Sequence, residues 1–149
     1  SNLIALLAGM HYWWPKMFGR MYNRRLAAIA SAVIFVGFNL TFLPQFVLGS
    51  RGMPRRYFNY LPQFQDLHVV STVGSWVLAA GLFLTAAYLL ASFRQPKGMP
   101  ANPWGGRTLE WETPSPPTTH NFEGQPVLQH GPYDYRPEPA PVCVKEMAH

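Results

Sequence analysis

Two long stretches of this chain contain no charged residue. Leu26 to Gly49 runs for 24 residues and Val69 to Phe93 for 25. As helices they would extend about 36 Å, enough to cross a hydrocarbon core about 30 Å thick. The pattern predicts two transmembrane helices joined by a loop, a helical hairpin. A third apolar stretch, Ser1 to Pro15, is shorter and closes on Tyr12, Trp13 and Trp14, residue types that favour headgroup depth. It is too short to span, and with neither an initial methionine nor a basic leader it reads as the end of a helix whose first half is missing. From Arg94 onward the character changes: 11 of the 15 prolines fall there, in strings such as Thr113-Pro114-Ser115-Pro116-Pro117 that resist helix and sheet ladders. This stretch is expected to be an extended tail that lies against a larger partner near Trp104 and Trp111 and loses order beyond about Gln125.

The expected organisation is therefore 1–15 end of a helix, 16–25 loop, 26–49 span, 50–68 loop, 69–93 span and 94–149 proline-rich tail. Within the second span Gly74, Leu78, Gly81 and Thr85 form a ridge of mostly small residues along which another helix can approach closely. That ridge, unmatched in a lone hairpin, implies a larger bundle.

Charge changes the picture by its placement. Only 13% of the residues are Asp, Glu, Lys or Arg, about half the usual share. Residues 1–93 hold seven basic side chains against Asp66 alone, whereas residues 94–149 hold five basic and six acidic ones. The basicity belongs to membrane flanks and not to a nucleic-acid patch. Lys16, Arg20, Arg24, Arg25, Arg94 and Lys97 flank the hairpin on one side, against Arg51, Arg55 and Arg56 in its loop, which puts the loop outside and the tail in the cytoplasm. Three arginines in an external loop run against that bias and call for a specific ligand.

Arg55 and Arg56 follow Gly52-Met53-Pro54 directly after the first span. Two adjacent guanidiniums make an anion clamp suited to a carboxylate or to a lipid phosphate. Phe38, Phe42 and Gln45, at i, i+4 and i+7, share a helix face running toward the clamp, which could line a flat cofactor or simply pack on other helices. Thr41 and Gln45 need hydrogen-bond partners in a membrane, and Pro44 leaves the carbonyl of Leu40 without its usual donor. The five histidines show no metal-ligand spacing, Cys143 has no partner for a disulfide, and no nucleophile set or phosphate-cradling glycine loop occurs.

Several strings, in order, resemble the end of subunit I of the haem–copper cytochrome oxidases: Trp13-Trp14-Pro15-Lys16-Met17-Phe18-Gly19, Phe35 through Gln45, Gly52-Met53-Pro54-Arg55-Arg56-Tyr57, Leu109-Glu110-Trp111 with Pro116-Pro117, and His120-Asn121-Phe122. The resemblance covers roughly residues 8–122. It implies an all-α membrane protein in which the hairpin and the half helix are the last pieces of a twelve-helix bundle, followed by an irregular proline-rich tail. It implies that Arg55 and Arg56 bind the propionates of the low-spin and oxygen-reducing haems, with Phe42 and Gln45 beside the low-spin haem. Haem and copper belong to the full subunit, with their ligands upstream, so no catalytic or metal-ligating residue is expected here and the fragment alone is expected to be inactive. The implied activity is reduction of O2 to water with electrons from cytochrome c, coupled to proton pumping, in a bacterial plasma membrane with oxidase subunits II and III as partners. A quinol oxidase of the same superfamily and a non-catalytic two-helix accessory subunit are the alternatives. Phe46 stands where several members have His, and Phe58-Asn59 where Ser-Asp often follows; the second departure argues against the calcium or sodium ion that some relatives hold near this loop.

Overall fold

A computed structural model of the protein describes residues 2–56, 58–122, 124–126, 131 and 133. Its regular elements are helical throughout the described residues: α1 (Asn2–Phe18), α2 (Arg24–Ser50) and α3 (Gln65–Ser92), with single 3₁₀ turns at Pro62–Phe64 and Leu109–Trp111. Two compact units result. One comprises residues 22–92 and the other residues 1–21 with 93–149. The expected loss of order beyond Gln125 falls largely outside the described residues.

In the unit of residues 22–92, α2 and α3 are both long and apolar enough to cross a membrane. Asn23 starts α2: its side-chain oxygen accepts the backbone N–H groups of Arg25 at 3.0 Å and Leu26 at 3.2 Å, donors that a helix start leaves unpaired. Helix α3 begins at Gln65, four residues before its uncharged run, because the 3₁₀ turn at Pro62 delivers the chain in helical sense and Asp66 complements the positive end of the helix dipole.

The small-residue ridge of α3 is filled, but by α2 of the same hairpin. A methyl group added at Gly74 would lie 2.6 Å from backbone atoms of Leu40 and Thr41, and one at Gly37 would lie 2.4 Å from the backbone nitrogen of Leu78. At Gly81 an added methyl would lie 2.7 Å from the side-chain Cγ1 of Ile34 and 3.1 Å from its backbone nitrogen. The expectation that a lone hairpin leaves this ridge unmatched is thus corrected: backbone-to-backbone approach at Gly37 and Gly74 consumes it. The outward faces carry large apolar side chains instead, with Phe35, Phe46, Trp76 and Phe83 each about 70% exposed or more. Such a surface requires lipid or further helices around it.

In the other unit, α1 continues through Pro15 to Phe18, three residues further than its apolar run. Phe93 and residues between Ala101 and Thr113 pack on this helix. Trp111 is 1% exposed, donates its indole N–H to the Tyr12 hydroxyl at 3.0 Å and meets the Tyr12 ring edge-on at 5.0 Å. Trp104 stacks on Tyr12 and donates to its backbone carbonyl at 2.9 Å. The tail tryptophans, expected to meet a larger partner, are therefore engaged by their own chain. The reason is amphipathic matching: the Trp111 indole is buried and that of Trp104 lies on the Tyr12 ring, while the single N–H of each finds an acceptor on Tyr12.

Lys16 is the centre of that junction. It is buried, and its ammonium donates to the carbonyls of Ala101 at 2.9 Å and Thr113 at 2.6 Å and to the Thr113 hydroxyl at 3.3 Å, beside the Trp111 ring. All three ammonium protons thus have acceptors, as a buried charge requires. Burial holds its pKa below the ordinary lysine value, while the nearby Glu110 and Glu112 oppose that shift. Lys16→Met should leave the Thr113 carbonyl without its ammonium donor and the Ala101 carbonyl with only the Ser115 hydroxyl at 3.4 Å, costing about 1–3 kcal/mol. The expected result is faster proteolytic cleavage between residues 98 and 116, with cleavage in the 51–61 loop unchanged.

Candidate cofactor-binding site

The arginine loop is positioned by the way α2 ends. Met53 donates its N–H to the Leu48 carbonyl and Gly52 donates to that of Gly49, both at 3.1 Å, with Gly52 at φ +83°. This is a Schellman ending, and it needs glycine at Gly52 because side chains disfavour that φ. It seats Met53 back over buried Leu48 and sends Pro54, Arg55 and Arg56 away from the helix axis.

The result is an open cleft of about 700 Å³ lined by Gln45, Phe46, Leu48, Met53, Arg55 and Arg56, among others. Arg56 holds φ +62°, a left-handed conformation that costs a non-glycine residue on the order of 1–2 kcal/mol. Both arginines are exposed, and within residues 22–92 the only acidic side chain is Asp66, on α3. The clamp therefore presents two donors of positive charge with far too little carboxylate in its own unit to neutralise it.

Gln45 reaches this cleft from α2, but its amide is also tied to α3: Nε2 donates to Ser71 Oγ at 2.9 Å, and Ser71 Oγ donates to the Thr41 carbonyl at 2.9 Å. Thr41 satisfies its own hydroxyl on the Gly37 carbonyl at 2.7 Å. Partners expected for Thr41 and Gln45 are thus found within the hairpin, at the turn where buried Pro44 interrupts the helix ladder. Ser71 is the residue the sequence reading missed. The signal was available, since it lies three residues before Gly74 and extends the same ridge.

Phe42 takes a different place. Its ring tilts against Phe38 at 4.6 Å between centroids, and half of it is exposed, but it does not line the cleft with the arginines. Phe38, Phe42 and Gln45 do share one side of α2, and only Gln45 reaches the charged end. Ser71→Ala should free the Gln45 amide and leave the Thr41 carbonyl without its inter-helix donor. The expected loss is about 0.6–1.7 kcal/mol, read by denaturation in detergent micelles. Among the described residues no group of three His, Cys, Asp or Glu side chains is placed to hold a metal ion.

Apolar helices too exposed for water, a polar bridge buried between them and a charged cleft at their end define, among the described residues, an all-helical membrane protein with a cationic rim. Residues 1–77, half of the chain, match the family model described as Cytochrome C and Quinol oxidase polypeptide I, and the chain belongs to that family. It is 42% identical to cytochrome c oxidase subunit 1 of Thermostichus vulcanus over 135 residues, 91% of this chain and 24% of that protein. The corresponding subunit of Synechocystis sp. is 45% identical over 135 residues, again 91% and 24%. That of Bacillus sp. is 44% identical over 130 residues, 85% of this chain and 21% of the relative. The chain spans about a quarter of the length of the curated relatives it matches.

Proposed function

We propose that this chain is the C-terminal part of the catalytic subunit of a proton-pumping terminal oxidase that reduces O2 to water with electrons from cytochrome c. The observation that carries the reading is the cleft at the end of α2, in which Arg55 and Arg56 stand together beside Gln45 within a family whose subunit I relatives are named cytochrome c oxidase.

The residues present fit one edge of a haem and not its iron. Two guanidiniums suit two carboxylates, each through paired N–H donors, and the single acid of the unit leaves that demand open. No histidine lines the cleft, so this segment holds propionates and leaves iron and copper ligation to the rest of the subunit. When bound, the haems and copper supply electron transfer and oxygen reduction. The chain's own contribution is to fix the propionates with Arg55 and Arg56, to set positive charge next to them, and to present the Gln45 amide, held by Ser71, alongside. Phe42, on the Phe38 side of α2, flanks the low-spin haem in this reading. The 50–68 loop faces the outside of a bacterial plasma membrane, the 94–149 tail faces the cytoplasm, and subunits II and III are the expected neighbours.

The test is a reduced-minus-oxidised visible spectrum of material purified from native membranes through a tag on this chain. A haem spectrum that shifts with carbon monoxide supports the reading. A folded, stoichiometric preparation without haem would sink it and leave a role in assembly alone.

A further inference from the structure

Arg51 is the one arginine of the loop that the haem reading leaves unused. It is exposed, and its backbone N–H closes α2 on the carbonyl of Val47 at 3.1 Å. Its side chain lines a second cleft of about 490 Å³, formed between the end of α2 and the segment leading into α3. Asn59, Tyr60 and Gln63 supply the polar part of that wall, and Leu61 and Phe64 the apolar part. The Asn59 side-chain oxygen already accepts the Tyr60 N–H at 2.9 Å, which leaves its amide hydrogens to donate elsewhere. The Tyr60 hydroxyl is tied to Gln65 at 2.7 Å and its ring lies 4.2 Å from that of His68, so this wall is braced against α3.

Depth decides what such a cleft can hold. The midpoint of the uncharged run 26–49 lies about 13 residues before Arg51, or about 20 Å along the helix. Half of a bilayer with its headgroups is also about 20 Å. Arg51 is therefore at phosphate level, with apolar Leu61, 61% exposed, on the wall beside it. We propose that this cleft binds the headgroup phosphate of one anionic phospholipid, with the Arg51 guanidinium and the Asn59 amide as donors and Leu61 and Phe64 against the start of its chains. The chemistry is charge complementarity in a unit whose only acid is Asp66. The inference uses only the end of a span and does not depend on haem.

The experiment is native mass spectrometry of the complex purified from its own membranes in mild detergent, comparing wild type with Arg51→Gln, Asn59→Ala and Arg94→Gln. Wild type and Arg94→Gln, whose side chain is outside this cleft, should each retain one phosphatidylglycerol through delipidation. Arg51→Gln should reduce that occupancy about tenfold, and Asn59→Ala several-fold. Added phosphatidylglycerol micelles should raise the melting temperature of wild type more than that of Arg51→Gln. Equal retention in Arg51→Gln and wild type would overturn the proposal, as would equal retention of phosphatidylcholine. Equal protection by inorganic phosphate would also overturn it, since the site would then be one for free anions. Should Arg51→Gln fail to fold, Asn59→Ala carries the same comparison.

Discussion

Replacing Arg55 and Arg56 together by glutamine in the full subunit should lower the midpoint potential of the low-spin haem by on the order of 100 mV. A unit charge about 10 Å from the iron, at an effective dielectric of about 20, contributes about 1.7 kcal/mol, or about 70 mV for one electron. The sign follows from charge: a guanidinium favours the reduced iron, which carries one positive charge fewer, so its loss favours the oxidised form. Two neighbouring charges act on the same centre, and solvent entering the open cleft screens part of their sum. A redox titration monitored in the visible range reads the shift, and proton release per electron reads its consequence. Unchanged potential and unchanged pumping would separate the arginine pair from the haems and return the clamp to another anion. Arg56→Gly offers a finer test. It removes one charge but relieves the left-handed backbone at φ +62°, so potential should fall while stability holds or rises.

The second large effect is expected at the hairpin interface. Gly37→Ala and Gly74→Ala each place a methyl group 2.4–2.6 Å from backbone atoms of the facing helix, where no side chain can swing aside. The helices must separate by about 1 Å to reach ordinary contact, and overpacking of this kind costs about 1–3 kcal/mol. The two substitutions press on one interface. Once the first has parted the helices the second finds room, so the double variant should lose less than the sum of the singles. Gly49→Ala is the contrast: it is helical with nothing within 4 Å of an added methyl, and it should be neutral or slightly stabilising. Detergent denaturation of the three single variants and the double variant checks all of this.

How much of this was legible in the sequence depends on what each signal encodes. The two spans were, because absence of charge over two dozen residues is a one-dimensional property that a bilayer reads directly. The helix limits moved outward where local chemistry, Asn23 as a cap and Asp66 in a first turn, extends a helix past its apolar run. The arginine cleft was legible as a motif, but its shape was not, since the departure of Met53 from α2 depends on paired hydrogen bonds around Gly52. The small ridge was recognised correctly as a packing surface and assigned the wrong partner. Spacing shows that a backbone can come close, and it carries no information about which one does. Phe42 and Gln45 share a helix side, as i to i+3 residues must, yet their surroundings part because the charged cleft begins only at the last turns of α2. Lys16 was read as one more flank charge. Its three acceptors lie 85 and 97 residues onward, in a stretch with no periodic pattern to announce them.

That separation bears on how the protein is made. A ribosome adds roughly 5–20 residues each second, so about 5–20 s pass between the emergence of Lys16 and that of Thr113, 97 residues later. For that interval the ammonium and the exposed face of Tyr12 have no mate from their own chain. Release of an unfinished product anywhere in α3 would leave them so permanently. An uncovered Lys16 with its aromatic neighbour therefore distinguishes a chain that stops within α3 from one that has passed Thr113.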